Sequence, residues 1–154
     1  MFAADGVRPE DSAAEQAIPI DQLRRDAAQG NAKAEYLLGC CYNGEQGFVN
    51  DSAEAAKWWG MAAAKGSADA QFCIGLCYSL GQGVPRDAVI ASKWWRMAAE
   101  QEQAEAQYFL GLSYCAGLGV DKSPALAICW LNKAAKNGNK AALEVLRKLG
   151  SSPS

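Results

Sequence analysis

Apolar side chains recur along this chain with a short period and a long one. Ala34, Leu38 and Tyr42 are spaced i, i+4 and i+8, which places them on one face of an α-helix. The same apolar face returns after 36 residues and again after another 36, with polar and glycine-rich stretches in between. The pattern therefore predicts amphipathic helices arranged in a tandem repeat.

The 36-residue register also aligns several distinctive residue types without a gap. The aligned sets are Gly39, Gly75 and Gly111; Tyr42, Tyr78 and Tyr114; and Trp58, Trp94 and Trp130. Three aligned tryptophans and three aligned tyrosines in the same register are not expected by chance. We therefore predict that these glycines, tyrosines and tryptophans form the structural core of the repeat.

Each unit is predicted to contain two helices joined by a glycine-rich loop such as Gly81-Gln82-Gly83. The second helix begins after a residue that favours the N-cap position: Asp51, Asp87 or Ser123. A glycine in the middle of the first helix costs about 1 kcal/mol relative to alanine. Because three units carry this glycine, we expect a neighbouring helix to approach there too closely for a Cβ atom.

The repeat defines a single predicted domain that spans residues 20–149. Its parts are a half repeat at 20–31, full repeats at 32–67, 68–103 and 104–139, and a half repeat at 140–149. Residues 1–19 are expected to form a flexible lead-in and residues 150–154 a tail.

The second unit carries the most complete version of the pattern: Ala70, Gly75, Tyr78, Gly81, Gly83, Asp87, Ala91, Trp94, Ala98 and Ala99. This pattern resembles the Sel-one-like repeat family, a branch of the tetratricopeptide-like α-solenoids. The resemblance implies an all-α fold, a right-handed solenoid of stacked helix pairs with a concave groove. The chain departs from the pattern at Glu45 and Glu102, where glycine is expected.

The resemblance also implies that the chain binds other proteins. Members of the family look like adaptors and scaffolds, so we expect a partner protein or peptide to bind in the groove. Two alternatives remain open at this point. One is an immunity protein that neutralises a secreted toxic effector, and the other is an enzyme of the cysteine-rich branch of the family.

Composition narrows the chemistry that the chain can perform. The chain contains no His, which excludes His-based triads, His general bases and His metal ligands. A net charge of -2 without a basic stripe argues against nucleic-acid binding. No apolar run reaches the roughly 18 residues of a membrane span. We therefore predict no catalytic residue, no metal and no cofactor.

Six cysteines lie at positions 40, 41, 73, 77, 115 and 129. Their spacing contains no C-x-x-C pair and does not suit zinc, so we expect buried, reduced thiols that act as small apolar residues. The chain also lacks the C-x(7)-C bridges that the resemblance associates with a secreted branch. Reduced thiols and the absence of a recognisable signal favour a cytoplasmic protein; the alternative is a periplasmic one in which Met1 replaces a removed signal peptide.

The candidate binding residues lie on the first helix of each unit, around the repeated glycine. We predict an apolar stripe with polar flanks that faces the groove: Tyr36, Phe72, Tyr108, Cys40, Leu76, Leu112, Asn43 and Ser79. Exposed stripes of this kind often mark interaction sites. The alternative is that these side chains pack between helices as ordinary core.

Two units carry a second tryptophan directly after the repeated one. Adjacent helical residues point about 100° apart, so both tryptophans of a pair cannot face the same core. We expect Trp58 and Trp94 to be structural, and Trp59 and Trp95 to pack between repeats. The alternative is that Trp59 and Trp95 are half exposed on the convex side and form a second contact surface.

Overall fold

The computed structural model describes residues 19–45 and 50–150, and the regular structure in these residues is entirely helical. The helices are α1 (Ile20–Ala28), α2 (Ala32–Tyr42), α3 (Ser52–Ala64), α4 (Ala68–Leu80), α5 (Ala88–Glu100), α6 (Ala104–Ala116), α7 (Pro124–Lys136) and α8 (Lys140–Lys148). The predicted all-α solenoid fold is confirmed. The predicted lead-in up to residue 18 and the tail from residue 151 lie outside the described residues.

Helices that follow one another in the chain pack against one another, from α1 to α8. Small side chains permit these close approaches, since the alanine pairs at the ends of α3 and α5 are almost completely buried. A larger residue at one position of each first helix fills the centre of each layer: Leu38, Ile74, Leu110 and Leu146. The layers together form a row of adjoining hydrophobic clusters instead of one central core.

Polar side chains fix where the helices begin. Asp51, Asp87 and Ser123 cap α3, α5 and α7 as N-cap residues, at the positions where the sequence predicts helix starts. The Asp87 carboxylate, for example, accepts a hydrogen bond of 3.0 Å from the backbone N–H of Ile90. Each cap satisfies one of the backbone donors that a helix leaves unpaired in its first turn.

The glycine in the middle of each first helix lies directly under a large side chain of the following helix. A Cβ atom on Gly75 would stand 2.4 Å from Nε1 of Trp95, and one on Gly39 would stand 2.5 Å from Nε1 of Trp59. The Trp95 indole N–H then donates a hydrogen bond of 3.3 Å to the Phe72 carbonyl oxygen. Any side chain at the glycine would therefore displace the indole that joins the two helices of a unit.

Half exposure of Trp59 and Trp95 is wrong, because these side chains are only 6% and 5% exposed, whereas Trp58, Trp94 and Trp130 are half-buried. Packing between repeats is confirmed, since Trp59 shares a cluster with Ile74 and Trp95 one with Leu110, each on the first helix of the next unit. The second tryptophan of each pair faces the glycine of the same unit, and the repeated tryptophan packs against the edge of a neighbouring cluster. The sequence pattern misled because the residue that recurs in all three units is not the one that the helix pair encloses most tightly.

A buried polar contact joins each unit to the next. The Gln71 side chain is almost fully buried; its Nε2 donates to the Ala63 carbonyl oxygen at 3.2 Å. The Oε1 of Gln71 accepts a hydrogen bond of 2.9 Å from Nε2 of Gln101. Gln107 and Asn137 make the same pair of contacts one unit later. Because each buried amide uses both its donor and its acceptor, the contact fixes the spacing of successive units.

The first unit replaces this amide pair with an ion pair. Glu35 occupies the position of Gln71 and is completely buried, while Lys65 occupies the position of Gln101. The Lys65 ammonium donates to the Glu35 carboxylate and to the Gly30 carbonyl oxygen. The second carboxylate oxygen of Glu35 has no hydrogen-bond partner, because a carboxylate cannot donate to a backbone carbonyl as the Gln71 amide does.

The glycine-rich loops hold neighbouring units together. A Cβ atom on Gly83 would stand 2.2 Å from the Ser52 carbonyl oxygen, and one on Gly119 would stand 2.1 Å from that of Ala88. Both glycines also have positive φ angles, of 74° and 71°. The loops of the second and third units therefore rest on the first turn of an earlier second helix, which only glycine permits.

Replacement of Gly75 by alanine tests the contact between glycine and tryptophan. We expect Gly75→Ala to lower the free energy of unfolding by about 1–3 kcal/mol, because overpacking outweighs the gain in helix propensity. Gly60→Ala is the matched control: Gly60 also lies inside a helix, and its Cβ would meet nothing within 4 Å. That variant should be more stable than the wild type by about 0.5–1 kcal/mol. Urea unfolding measures both changes, and equal stabilisation of both variants would contradict this packing.

Conversion of the first unit to the amide pair of the second tests the polar contact. Lys65→Ala leaves the buried Glu35 charge without its partner, and we expect it to lower the free energy of unfolding by roughly 2 kcal/mol or more. The double variant Glu35→Gln/Lys65→Gln reproduces the Gln71–Gln101 arrangement and should stay within about 1 kcal/mol of the wild type. Thermal and urea unfolding compare the two. A double variant as unstable as Lys65→Ala would show that the amide pair does not fit in the first unit.

Candidate functional site

A cavity of about 500 Å³ opens between α2 and α4. Its wall is apolar over most of the depth and polar at the mouth. The apolar wall consists of Tyr36, Cys40, Trp59, Phe72, Cys73, Leu76, Cys77 and Leu80. The polar mouth consists of Asn43, Glu45, Asp69, Gln82, Gln103 and Glu105. We call this space the first cavity.

A second cavity of about 370 Å³ lies one repeat further along, between α4, α5 and α6. Its wall includes Ser79, Arg86, Trp95, Phe109, Leu112, Ser113, Cys115 and Leu118. Several of these residues stand 36 positions after residues of the first cavity, as Trp95 does after Trp59. The two cavities are therefore copies of the same site in successive units, and together we call them the groove.

The first cavity is larger because its wall contains smaller side chains. Cys40 stands where the next unit has Leu76, and Cys73 stands where the next unit has Phe109. The Phe109 ring fills this position completely: its centroid lies 5.1 Å from that of Trp95 and 5.7 Å from that of Phe72. Cysteine at position 73 leaves that volume open. The cysteines thus act here as small apolar residues that enlarge a binding cavity.

The structure brings most of the predicted binding residues together. The first cavity contains Tyr36, Cys40, Asn43, Phe72 and Leu76, and the second contains Ser79 and Leu112. Tyr108 lines neither cavity; its ring packs edge-on against Phe109 at 5.4 Å and against the cluster that α7 and α8 share. Phe72 is half-buried, so one side of its ring packs on Phe109 and another part faces the groove.

Two leucines of the groove are absent from the predicted set, although they are the most exposed large apolar residues of the described chain. Leu80 is 61% exposed at the first cavity and Leu118 is 58% exposed at the second. Leu80 ends α4, and Leu118 lies in the loop after α6. The 36-residue register does not mark either position as apolar in every unit. Position 82, which lies 36 residues before Leu118, holds glutamine.

Charge changes along the groove. Three carboxylates, on Glu45, Asp69 and Glu105, lie at the first cavity, and neither lysine nor arginine lines it. The second cavity contains one charged side chain, Arg86. The first cavity therefore presents a negative mouth above an apolar interior, whereas the second is mostly apolar with a single positive charge.

The thiols in the first cavity are poor nucleophiles. Burial raises the pKa of Cys77 from 9.0 to about 11. Burial also raises the pKa of Cys73, and the neighbouring Cys40, Cys77, Asp69 and Glu45 raise it further. A thiol reacts as the thiolate, so these shifts keep both residues protonated and unreactive near neutral pH. Burial likewise raises the pKa of the Tyr36 hydroxyl.

Residues 19–45 and 50–150 contain no group of three or more acidic or cysteine side chains placed to hold a metal ion. All six cysteines are free. The prediction that they are buried is wrong for Cys73 and Cys115, which are half-buried, and for Cys129, which is exposed. No helix in the same residues is long and apolar enough to cross a membrane. What the site supplies is shape, apolar surface and charge, which are the properties of a binding surface.

Comparison with known proteins identifies this architecture. The Sel1 repeat model matches residues 32–67, 68–102 and 104–139. The chain belongs to the Sel1 repeat family. This is the Sel-one-like family that the sequence pattern resembles, so the resemblance is confirmed. Its three matched repeats include all the residues described above for both cavities of the groove except Gln103.

Solved structures of other Sel1 repeat proteins agree with this fold. A Sel1 repeat protein from Oxalobacter formigenes is 35% identical, with a TM-score of 0.75 over 84% of this chain and 97% of its own. The protein c5321, a protective antigen of uropathogenic Escherichia coli strains, is 38% identical, with a TM-score of 0.80 over 86% of this chain and 29% of its own.

A third structure shares the fold at lower identity. Cysteine rich protein B of Helicobacter pylori is 20% identical, with a TM-score of 0.66 over 84% of this chain and 98% of its own. No curated protein matches the chain in sequence.

Thiol labelling tests the chemistry of the first cavity. With a neutral maleimide at about pH 8, we expect exposed Cys129 to react quickly and Cys73 and Cys77 to react at least about 100-fold more slowly. A pKa raised above its usual value lowers the thiolate fraction at every pH below it. The slow rate for Cys77 should therefore rise about tenfold per pH unit until the pH approaches 11.

Mass spectrometry after timed quenching assigns the labelled positions, and Cys129→Ser should remove the fast phase. Unfolding in urea should make all cysteines react at similar rates. A rapid reaction of Cys73 or Cys77 in the folded protein would contradict the protonated, protected state.

Proposed function

We propose that this Sel1 repeat chain is a non-catalytic interaction module that binds a segment of a partner protein in the groove. Sel1 repeats generally form scaffolds for protein–protein interaction. The observation that carries the proposal for this chain is the exposure of Leu80 and Leu118 at the two cavities. Neither leucine belongs to a hydrophobic cluster of the fold. Contact with an apolar surface of a partner explains why both are exposed.

The size of the groove supports a peptide segment as ligand. The first cavity alone has a volume of about 500 Å³, which is within the usual range of binding pockets. Its rigid walls come from packed helices, and aromatic side chains such as Tyr36 and Phe72 are frequent at binding hot spots. A preformed groove of this kind binds without a large ordering cost to the protein.

The identity of the partner separates the two biological roles. An adaptor would join proteins of the same cell, whereas an immunity protein would bind a secreted toxic effector and use the same groove. We retain the adaptor as the main proposal, because the groove offers two separate cavities of different charge. We also propose a reducing, cytoplasmic environment, which the free thiols of the first cavity support.

Removal of the exposed leucines tests the proposed function. We expect the double variant Leu80→Ser/Leu118→Ser to recover roughly tenfold less partner from native cell extract than the wild type, because both side chains contact the partner. The matched control is Met61→Ser/Met97→Ser, which removes two side chains that are 40% and 46% exposed and lie outside the groove.

Both double variants should fold, since exposed substitutions change stability by about 0.5 kcal/mol or less. Circular dichroism and thermal unfolding verify this, and quantitative mass spectrometry measures the recovered partner. Equal recovery with both double variants would show that the groove is not the binding surface.

A further inference from the structure

The charges of this chain are sorted between the two helices of each unit. The first helices α2, α4 and α6 carry one lysine and three carboxylates, and neither α4 nor α6 contains a basic residue. The second helices α3, α5 and α7 carry five basic residues and two glutamates. The net charge of the whole chain is only -2, so the negative mouth of the first cavity is a local arrangement and not a result of overall acidity.

The first cavity combines this charge with a deep apolar interior. Glu45, Asp69 and Glu105 are all exposed at its mouth, above the buried Trp59 indole and the thiols of Cys40 and Cys77. A concave site with low-dielectric walls concentrates the field of charges placed at its entrance. A ligand with a positive charge next to an apolar side chain satisfies both parts of the site.

We propose that the first cavity binds a basic, apolar segment of the partner polypeptide. One apolar side chain of the segment occupies the space that Cys40, Cys73 and Cys77 leave open. An adjacent lysine or arginine pairs with the carboxylates of Asp69, Glu105 and Glu45. The segment continues towards the second cavity, where Leu112 and Leu118 contact a further apolar side chain. This inference rests on the proposed function and adds the chemistry of the ligand.

Two other occupants of the mouth have to be distinguished from a partner segment. Residues 1–18 of this chain contain four carboxylates and a single arginine, so the negative mouth would repel this segment. A second copy of the chain could offer the basic residues of its second helices. That occupant predicts self-association of the protein, which size-exclusion chromatography with light scattering measures.

Peptide binding tests the proposal directly. The probes are fluorescein-labelled peptides of about 12 residues in which arginine or lysine alternates with leucine or phenylalanine. One matched panel replaces every basic residue with glutamate, and a second replaces every apolar residue with serine. We expect measurable binding in fluorescence anisotropy for the basic, apolar panel alone. Binding should also shift the NMR signal of the Trp59 indole N–H, which lies in the cavity, but not that of Trp130.

Neutralisation of the mouth provides the decisive variant. Glu45→Gln/Asp69→Asn/Glu105→Gln should weaken peptide binding roughly tenfold, the sum of three exposed charge pairs. Glu100→Gln/Asp121→Asn/Glu144→Gln changes the net charge by the same amount at exposed positions outside the groove. This control should change the affinity by less than about threefold.

Each result has a definite meaning. Equal weakening by both triple variants, or equal binding of the glutamate panel, would overturn the proposal, because the attraction would then be non-specific or not electrostatic. Self-association of the wild type that the mouth variant abolishes would make a second copy the occupant and would also overturn it. If native partner recovery depends on Leu80 and Leu118 while no basic peptide binds, the proposed function stands and the ligand chemistry proposed here is wrong.

Discussion

The contact between a large side chain of one helix and a glycine of the preceding helix determines the geometry of each full unit. Trp95 lies directly on Gly75 and donates its indole N–H to the carbonyl oxygen three residues earlier, at Phe72. A single residue thus supplies a large buried surface and a hydrogen bond, at the point where the helix axes come closest. The third unit places Leu131 on Gly111 instead, so the close approach is kept although the hydrogen bond is not. Glycine is therefore required because the two helices lie close together, and not because of the hydrogen bond that the indole makes.

Contacts between units depend on a different kind of interaction. Buried amides such as Gln71 use one end on the preceding helix and the other on the following one. Glycine loops such as that of Gly83 rest on the backbone of an earlier unit. These contacts are directional, whereas the packing of the alanines is not. Directional contacts keep successive units of the repeat in register. The first unit is the exception, because the ion pair of Glu35 and Lys65 replaces the amides there.

The groove shows how a repeat protein gains specificity without a change of backbone. Equivalent cavities recur after 36 residues, and their difference comes from the side chains at a few aligned positions. Cysteine in place of phenylalanine at position 73 opens the first cavity, while Phe109 closes the same space in the second. Three carboxylates lie at one cavity and one arginine at the other, so the two ends of the groove carry opposite charges. A segment that binds both cavities has only one favourable orientation.

The sequence by itself determined the helical class, the repeat length and the family. Periodicity reports these properties because every unit must bury the same face against its neighbours. Seven of the eight residues predicted to face the groove do line it, including Tyr36, Phe72 and Leu76, although most of its other lining residues were not predicted. The sequence did not determine which tryptophan of each pair is enclosed. Adjacent residues of a helix point about 100° apart, and the sequence pattern does not define the buried face more narrowly than that. The tertiary structure decided this, since only the approach of Gly75 shows which side of the second helix is inside. It also placed Leu80, Leu118 and Glu45 at the two cavities, because these residues lie at helix ends and loops, where the position of a side chain depends on the neighbouring unit and not on the period.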